Sequence, residues 1–281
     1  MTTTTGAVPA PAQATRVSTS ATLRTLLALI ERDLTVLVHE GVGFLLRSLM
    51  QPALFSFVFV YVFPRIGQGI GGRAGGQFAN VLMPGLMASS LMFQGIQAVA
   101  LPLVQEFSVS REIEDRVMAP IPVKLVGMAK VVSGAIQGII AALLVMPVVW
   151  LTSGFEADLT VGRPLVFVTL LPMAALVAAS VGLLLGTIVN PRRIGFLFAL
   201  LLLPMTLLGC VYYPWSALSA IRWLQVAVLL NPVVYFSEGL RASTLGEASH
   251  MSLWAVYGLL AAALAVLLFV ATRTFERRVI T

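Results

Sequence analysis

Six stretches of the chain, roughly 44–63, 78–104, 125–151, 164–189, 194–213 and 251–271, are each apolar over about 20 residues or more. Such a run crosses the ~30 Å hydrocarbon layer as an α-helix, which satisfies its own backbone groups where no water can. The fold class this dictates is all-α integral membrane, with six transmembrane helices. Composition agrees, since 58% of the 281 residues are hydrophobic and only 11% are charged. A soluble domain cannot keep a polar surface on that composition. The net charge of +6 points to bilayer orientation rather than to nucleic acid, because the bases fall between the apolar runs.

The chain divides at about residue 20. Residues 1–20, MTTTTGAVPAPAQATRVSTS, form a polar tail that reads as disordered and has no apolar core of the signal-peptide kind. Residues 21–281 form the membrane domain. Its first segment places Leu23, Leu26, Leu27, Ile30, Leu34 and Leu37 at helical spacing, with Arg24, Glu31, Arg32 and Asp33 filling the other positions. That pattern predicts a helix lying in the membrane interface, or one docked on a soluble subunit. One set of connections collects most of the bases, including Arg16, Arg24, Arg32, Arg47, Arg111, Arg116, Lys124, Arg192, Arg193, Arg273, Arg277 and Arg278. This set is expected in the cytosol, together with both termini. Arg47 and Lys130 lie near span ends, where snorkelling to the interface would explain each.

The longest charged interruption is QEFSVSREIEDRVMAPIPVK, from Gln105 to Lys124. Its Arg111, Glu112, Glu114, Asp115 and Arg116, followed by Pro120 and Pro122, predict a short solvated helix at a membrane face. REIEDRVMAPIP followed by a new apolar helix resembles the cytoplasmic loop of type-2 ABC (ATP-binding cassette) exporter permeases. In that family a coupling helix docks on the ATPase subunit here. Arg111, Glu112, Glu114, Asp115, Arg116 and Pro120 are the implied coupling residues, although this chain has Ile113 where the family commonly has glycine.

Between the last two spans, Trp215 to His250 is too broken by proline for a normal span and too apolar for an external loop. Short helices re-entering the outer leaflet fit it. The order Gly209, Tyr213, Pro214, then Asn231, Pro232, Tyr235, Glu238 and Arg241 is similar to the type-2 exporter signature. A proline often follows the Ala-Leu step there; this chain has Ser219. The re-entrant segment is thus marked by Pro214, Asn231, Pro232, Glu238 and Arg241. Glu238 and Arg241 stand at a spacing that allows an ion pair.

The resemblance implies the membrane permease of an ATP-driven drug or antibiotic exporter in a bacterial plasma membrane, moving a hydrophobic or amphipathic compound outward. Its partners would be two ATPase subunits, a second permease copy or paralogue, and membrane lipid, with ATP and Mg used by the ATPase and no cofactor held by this chain. Export of a lipid-linked glycan or lipid is the alternative within the class. From another class stand a membrane scaffold and an intramembrane enzyme. If the path forms between two protomers from spans one, two and five, Phe93, Gln94, Phe196, Met205 and Tyr212 are the residues to line it.

Absent chemistry narrows the field. Lys124 and Lys130 are the only lysines and neither is followed by Ser or Thr, so GxxxxGK[ST] cannot be written and ATP hydrolysis is expected elsewhere. His39, His250 and Cys210 are scattered, which speaks against zinc or a Cys-His nucleophile. The deep parts of the spans lack the acids a proton- or sodium-coupled carrier uses. Ser89, Ser90, Gln94, Gln97 and Gln137 read first as interhelical hydrogen-bonding residues.

Overall fold

A computed structural model describes residues 19–39, 41–66, 75–107, 123–190, 193–245 and 251–280. Its elements are helical, and the described residues include no strand. Helix α1 spans Thr19–His39. Helix α2 begins at Gly41–Ser56 and continues through a π-helical stretch, Phe57–Val62, to Arg65. Then come α3 (Gly75–Gln105), α4 (Val123–Thr152), α5 (Pro164–Ile188) and α6 (Ile194–Leu207). A 3-10 turn (Trp215–Ala220), the short α7 (Arg222–Ala227), α8 (Pro232–Thr244) and α9 (Leu253–Ile280) complete the chain.

Five helices are long and apolar enough to cross a membrane: α2, α3, α4, α5 and α9. The fifth expected span is shorter than its apolar run. It was expected over 194–213, but α6 stops at Leu207 after 14 residues, about 21 Å of helix. The last span overshoots its expected end at Ala271, running on to Ile280 and carrying Arg273, Arg277 and Arg278 on its final turns.

Helix α3 is the hub. Leu82, Leu86, Met87, Leu91, Ile96, Val99 and Leu103 are buried on all sides of it. Two Gly-x-x-x-Gly pairs let its neighbours approach. A Cβ on Gly182 of α5 would lie 2.6 Å from the Ile96 carbonyl oxygen, and one on Gly134 of α4 would lie 2.3 Å from Val99 Cγ2. Gly138 and Gly186 face α3 one turn further along. Bilayer helices gain little from the hydrophobic effect on associating, so close backbone approach supplies the packing instead.

Two ends of the bundle can be told apart. At the connector end, where α3 finishes and α4 begins, Phe107 meets Phe275 edge-on and Lys124 pairs with Glu276 at 3.3 Å. At the cap end, Asp158 N–H donates to Asn80 Oδ1 and Arg163 N–H to the Ser243 carbonyl. The Thr160 backbone N–H holds the Asp158 carboxyl below its ordinary range. Helix α1 packs on α4 and α2. Ile30, Asp33, Leu34 and Leu37 are half-buried, and Leu27, Val36 and Val38 are exposed. Ile30, Leu34 and Leu37 of the expected apolar stripe turn inward, whereas Leu27, expected on the same stripe, does not.

Candidate functional site

Polar side chains concentrate on one seam of an otherwise apolar bundle. Ser90, Gln94, Gln97 and Gln105 recur at helical spacing along one side of α3. Ser48 Oγ of α2 donates to Gln94 Oε1 at 3.2 Å, and Gln94 Nε2 reaches Gln137 Oε1 of α4 at 3.5 Å. The hydrogen bonding expected of these residues is present for Gln94 and Gln137. Ser89 instead donates to the Leu86 carbonyl of its own helix, and the Ser90 hydroxyl has no partner among the described residues.

The seam opens toward the connector end into a cleft of about 430 Å³ bounded by α1, α2, α3 and α4. A smaller cavity of about 110 Å³ continues toward Ser89 and Phe93. Arg47, Gln94 and Gln97 line both. Arg47 is exposed and forms part of the cleft wall.

Lys130 departs from expectation. It does not snorkel: it is 6% exposed, and its Nζ donates to Glu106 Oε1 at 2.8 Å. Glu106 sits in the π-helical turn that ends α3 and is itself buried. A counter-charge this near compensates burial more directly than the distant interface does, and two buried ions persist only when paired. The sequence signal for it is a lone lysine inside one span and an acid at the adjoining end of its antiparallel neighbour.

A second polar cluster lies toward the cap end. Helix α8 is capped by Asn231, whose Oδ1 accepts from the Val233 N–H, with Pro232 at its first position. Every residue from Val233 to Thr244 is buried, so the expected re-entrant helix lies inside the bundle, against α3, α5 and α9. Arg241 Nη1 donates to Glu238 Oε1, as the spacing predicted, and Nη2 donates to the Cys210 carbonyl at 3.1 Å. Glu238 also accepts the Trp215 N–H at 2.9 Å through Oε1 and the Met251 N–H at 3.0 Å through Oε2. One carboxylate therefore ties down both ends of the 215–251 segment.

The residues expected to line a path do not gather in one cavity of the single chain. Phe93 and Gln94 line the smaller cavity. Tyr212 packs on Phe55 and Phe59, with ring centroids 5.2 and 5.5 Å away. The Met205 carbonyl accepts from Asn231 Nδ2 at 2.7 Å, and Phe196 stands 70% exposed on α6. Pro214 leads into the 3-10 turn. The residues expected to couple to an ATPase, Arg111, Glu112, Glu114, Asp115, Arg116 and Pro120, lie outside the described residues. Among the described residues no three His, Cys, Asp or Glu side chains stand close enough to hold a metal.

Comparison with known proteins places these features in a family. The model of the ABC-2 type transporter family matches residues 24–245, from α1 to the end of α8. The inner membrane transport permease YadH of Escherichia coli (strain K12) is 27% identical over 212 residues, which cover 74% of this chain and 80% of YadH. The same figures hold for YadH of Shigella flexneri. With the matched region taking in both the polar seam and the buried Glu238–Arg241 pair, the chain belongs to the ABC-2 type transporter family and is a multi-pass type-2 ABC permease.

Proposed function

We propose that the protein is the membrane subunit of an ATP-driven exporter in the plasma membrane, moving a hydrophobic or amphipathic compound outward, with drug or antibiotic efflux as its role. ATP and Mg belong to a separate ABC ATPase, since neither lysine of this chain can complete a phosphate-binding loop. Two ATPase copies and a second permease complete the transporter, because one permease unit with one coupling loop supplies half of a symmetric assembly. The observation that carries this reading is the polar cleft at the connector end. Gln105 and Glu106 form part of its wall immediately before the chain enters the charged REIEDRVMAPIP connector. An ATPase gripping that connector pulls on the ends of α3 and α4 and hence on the cleft.

The test is coexpression with a candidate ABC ATPase subunit. The wild-type permease copurifies with it, and the pair transports an amphipathic dye into inverted vesicles when ATP is supplied. The double variant E114K/D115K inserts normally but loses copurification and transport. Unchanged copurification and transport in that variant would overturn the assignment of the connector.

A further inference from the structure

Helix α9 continues beyond its apolar run, which ends near Ala271, as far as Ile280, a further rise of about 14 Å. Crossing the bilayer does not need that length, since Leu253 to Ala271 already rises about 27 Å. The extension carries Arg273, Glu276, Arg277 and Arg278, which a hydrocarbon layer accepts only at high cost. Three residues of its last turns touch the two places where the chain leaves α3 and enters α4.

The 108–122 connector is flanked by Phe107, in the π-helical turn that ends α3, and by Val123 and Lys124 at the start of α4. Phe107 lies against two groups of α9. The Phe275 ring meets it edge-on with centroids 6.2 Å apart, and the Arg278 guanidinium carbon stands 4.5 Å from its centroid. Phe275 is 1% exposed and reaches α4 as well, where a Cβ on Gly127 would lie 3.1 Å from its Cδ1. The next residue, Glu276, places Oε2 3.3 Å from Lys124 Nζ. One turn of α9, from Phe275 to Arg278, thus meets both ends of the connector.

These contacts differ in strength. The Lys124–Glu276 pair is open to solvent and by itself contributes little. The buried aromatic edge and the guanidinium over the ring fix Phe107 in both distance and direction. A segment whose two ends are fixed samples fewer arrangements than one whose ends drift apart, and less ordering is then left to a partner that docks on it.

We propose that Phe275, Glu276 and Arg278 are positioning residues for the connector, holding its two ends against α9 and so pre-organising it for the ATPase. That the partner is an ATPase rests on the exporter reading. The clasp itself is read on the permease alone.

The full-length permease is prepared as wild type, K124E, E276K, the exchanged pair K124E/E276K, F107L and F107Y. In detergent, without a partner, limited trypsin cleavage after Arg111 and Arg116 is followed by mass spectrometry, and thermal melting shows which variants are folded. K124E, E276K and F107L should be cleaved about fivefold faster than the wild type. The exchanged pair and F107Y, which keep an ion pair and an aromatic edge, should return toward the wild-type rate. A merely stabilising contact would shift the melting temperature and leave cleavage of the folded protein unchanged, and that result would overturn the clasp. An exchanged pair cleaved as fast as either single variant would overturn it too, and decides the matter should F107L not fold. With a candidate ABC ATPase subunit coexpressed, the faster-cleaved variants should copurify severalfold less of it and the restored ones recover it. Equal copurification by all would overturn the pre-organising role. A wild type that retains no ATPase, with the cleavage pattern intact, fails the exporter reading and leaves the clasp standing.

Discussion

Lys130 Nζ and Glu106 Oε1 meet at 2.8 Å across the two helices that bracket the charged connector, both side chains at most 10% exposed. The pair fastens the end of α3 to the start of α4. Removing one member takes from the other a charge 2.8 Å away, in a medium that solvates ions poorly.

Lys130→Met should therefore lower stability by about 3 kcal/mol, seen as a fall in the melting temperature of the detergent-solubilised protein. The double variant E106L/K130M should recover more than half of that loss, since an apolar pair of similar volume carries no desolvation cost. A double variant no better than the single one would show that the packing of the lysine stem, not the charge, is what matters there.

Glu238 holds Arg241 and the N–H groups of Trp215 and Met251 together. Glu238→Ala releases three donors at once, with a cost of about 3 kcal/mol or more. Cys210 is buried and its carbonyl is held by Arg241. The expected readout is a Cys210 thiol that resists a maleimide in the wild type and reacts in E238A. Resistance in both would mean that the segment is held without the carboxylate.

The glycine contacts make a comparison with a built-in control. Gly182→Ala pushes a methyl to 2.6 Å from the Ile96 carbonyl oxygen, whereas Gly43 has nothing within 4 Å of a Cβ. G182A should destabilise by roughly 1 to 3 kcal/mol. G43A should be neutral, or stabilise the helix by under about 1 kcal/mol. Fluorescence-detected melting of the two variants decides the matter, and equal melting temperatures would show that α3 and α5 separate freely.

Ser216→Cys and Ser249→Cys, each in a C210S background, test the sidedness of the 215–251 segment. Both cysteines should react with an impermeant thiol reagent added outside intact cells. Labelling of one only from the cytosol would mean that the segment crosses the membrane and that the topology is wrong.

Hydropathy and helical period were sufficient for much of this protein, because both are local. Five of the six apolar runs correspond to helices long enough to cross a bilayer, and the leucine spacing of α1 marked a helix there, with Ile30, Leu34 and Leu37 turned inward. Asn231 and Pro232 were read only as a break in the re-entrant segment; in the structure the break is the start of α8, where the Asn side chain caps the helix and the proline ring presets its first turn. The spacing of Glu238 and Arg241 foretold their ion pair. Lys130 was misjudged because its partner lies on another helix, and the two helices meet only once both have folded.

The end of α6 shows most plainly where local reasoning stops. Leu208 to Tyr213 prolong the apolar run, with Gly209 as its one local stop signal, so the run itself marks an end at Leu207 only weakly. Groups from α8 and its cap hold the carbonyls at and beyond the end: Asn231 Nδ2 donates to Met205 O in the last turn, while Ser237 Oγ and Arg241 Nη2 donate to Gly209 O and Cys210 O just past it. Gly209 N–H turns to Thr206 O, and Cys210 adopts φ 52°. Composition and period determined that this chain enters a membrane, and roughly where. Which carbonyls close a helix, which lysine finds an acid and which glycines meet a backbone were decided by the tertiary structure, because each depends on groups far apart in the chain arriving at one place.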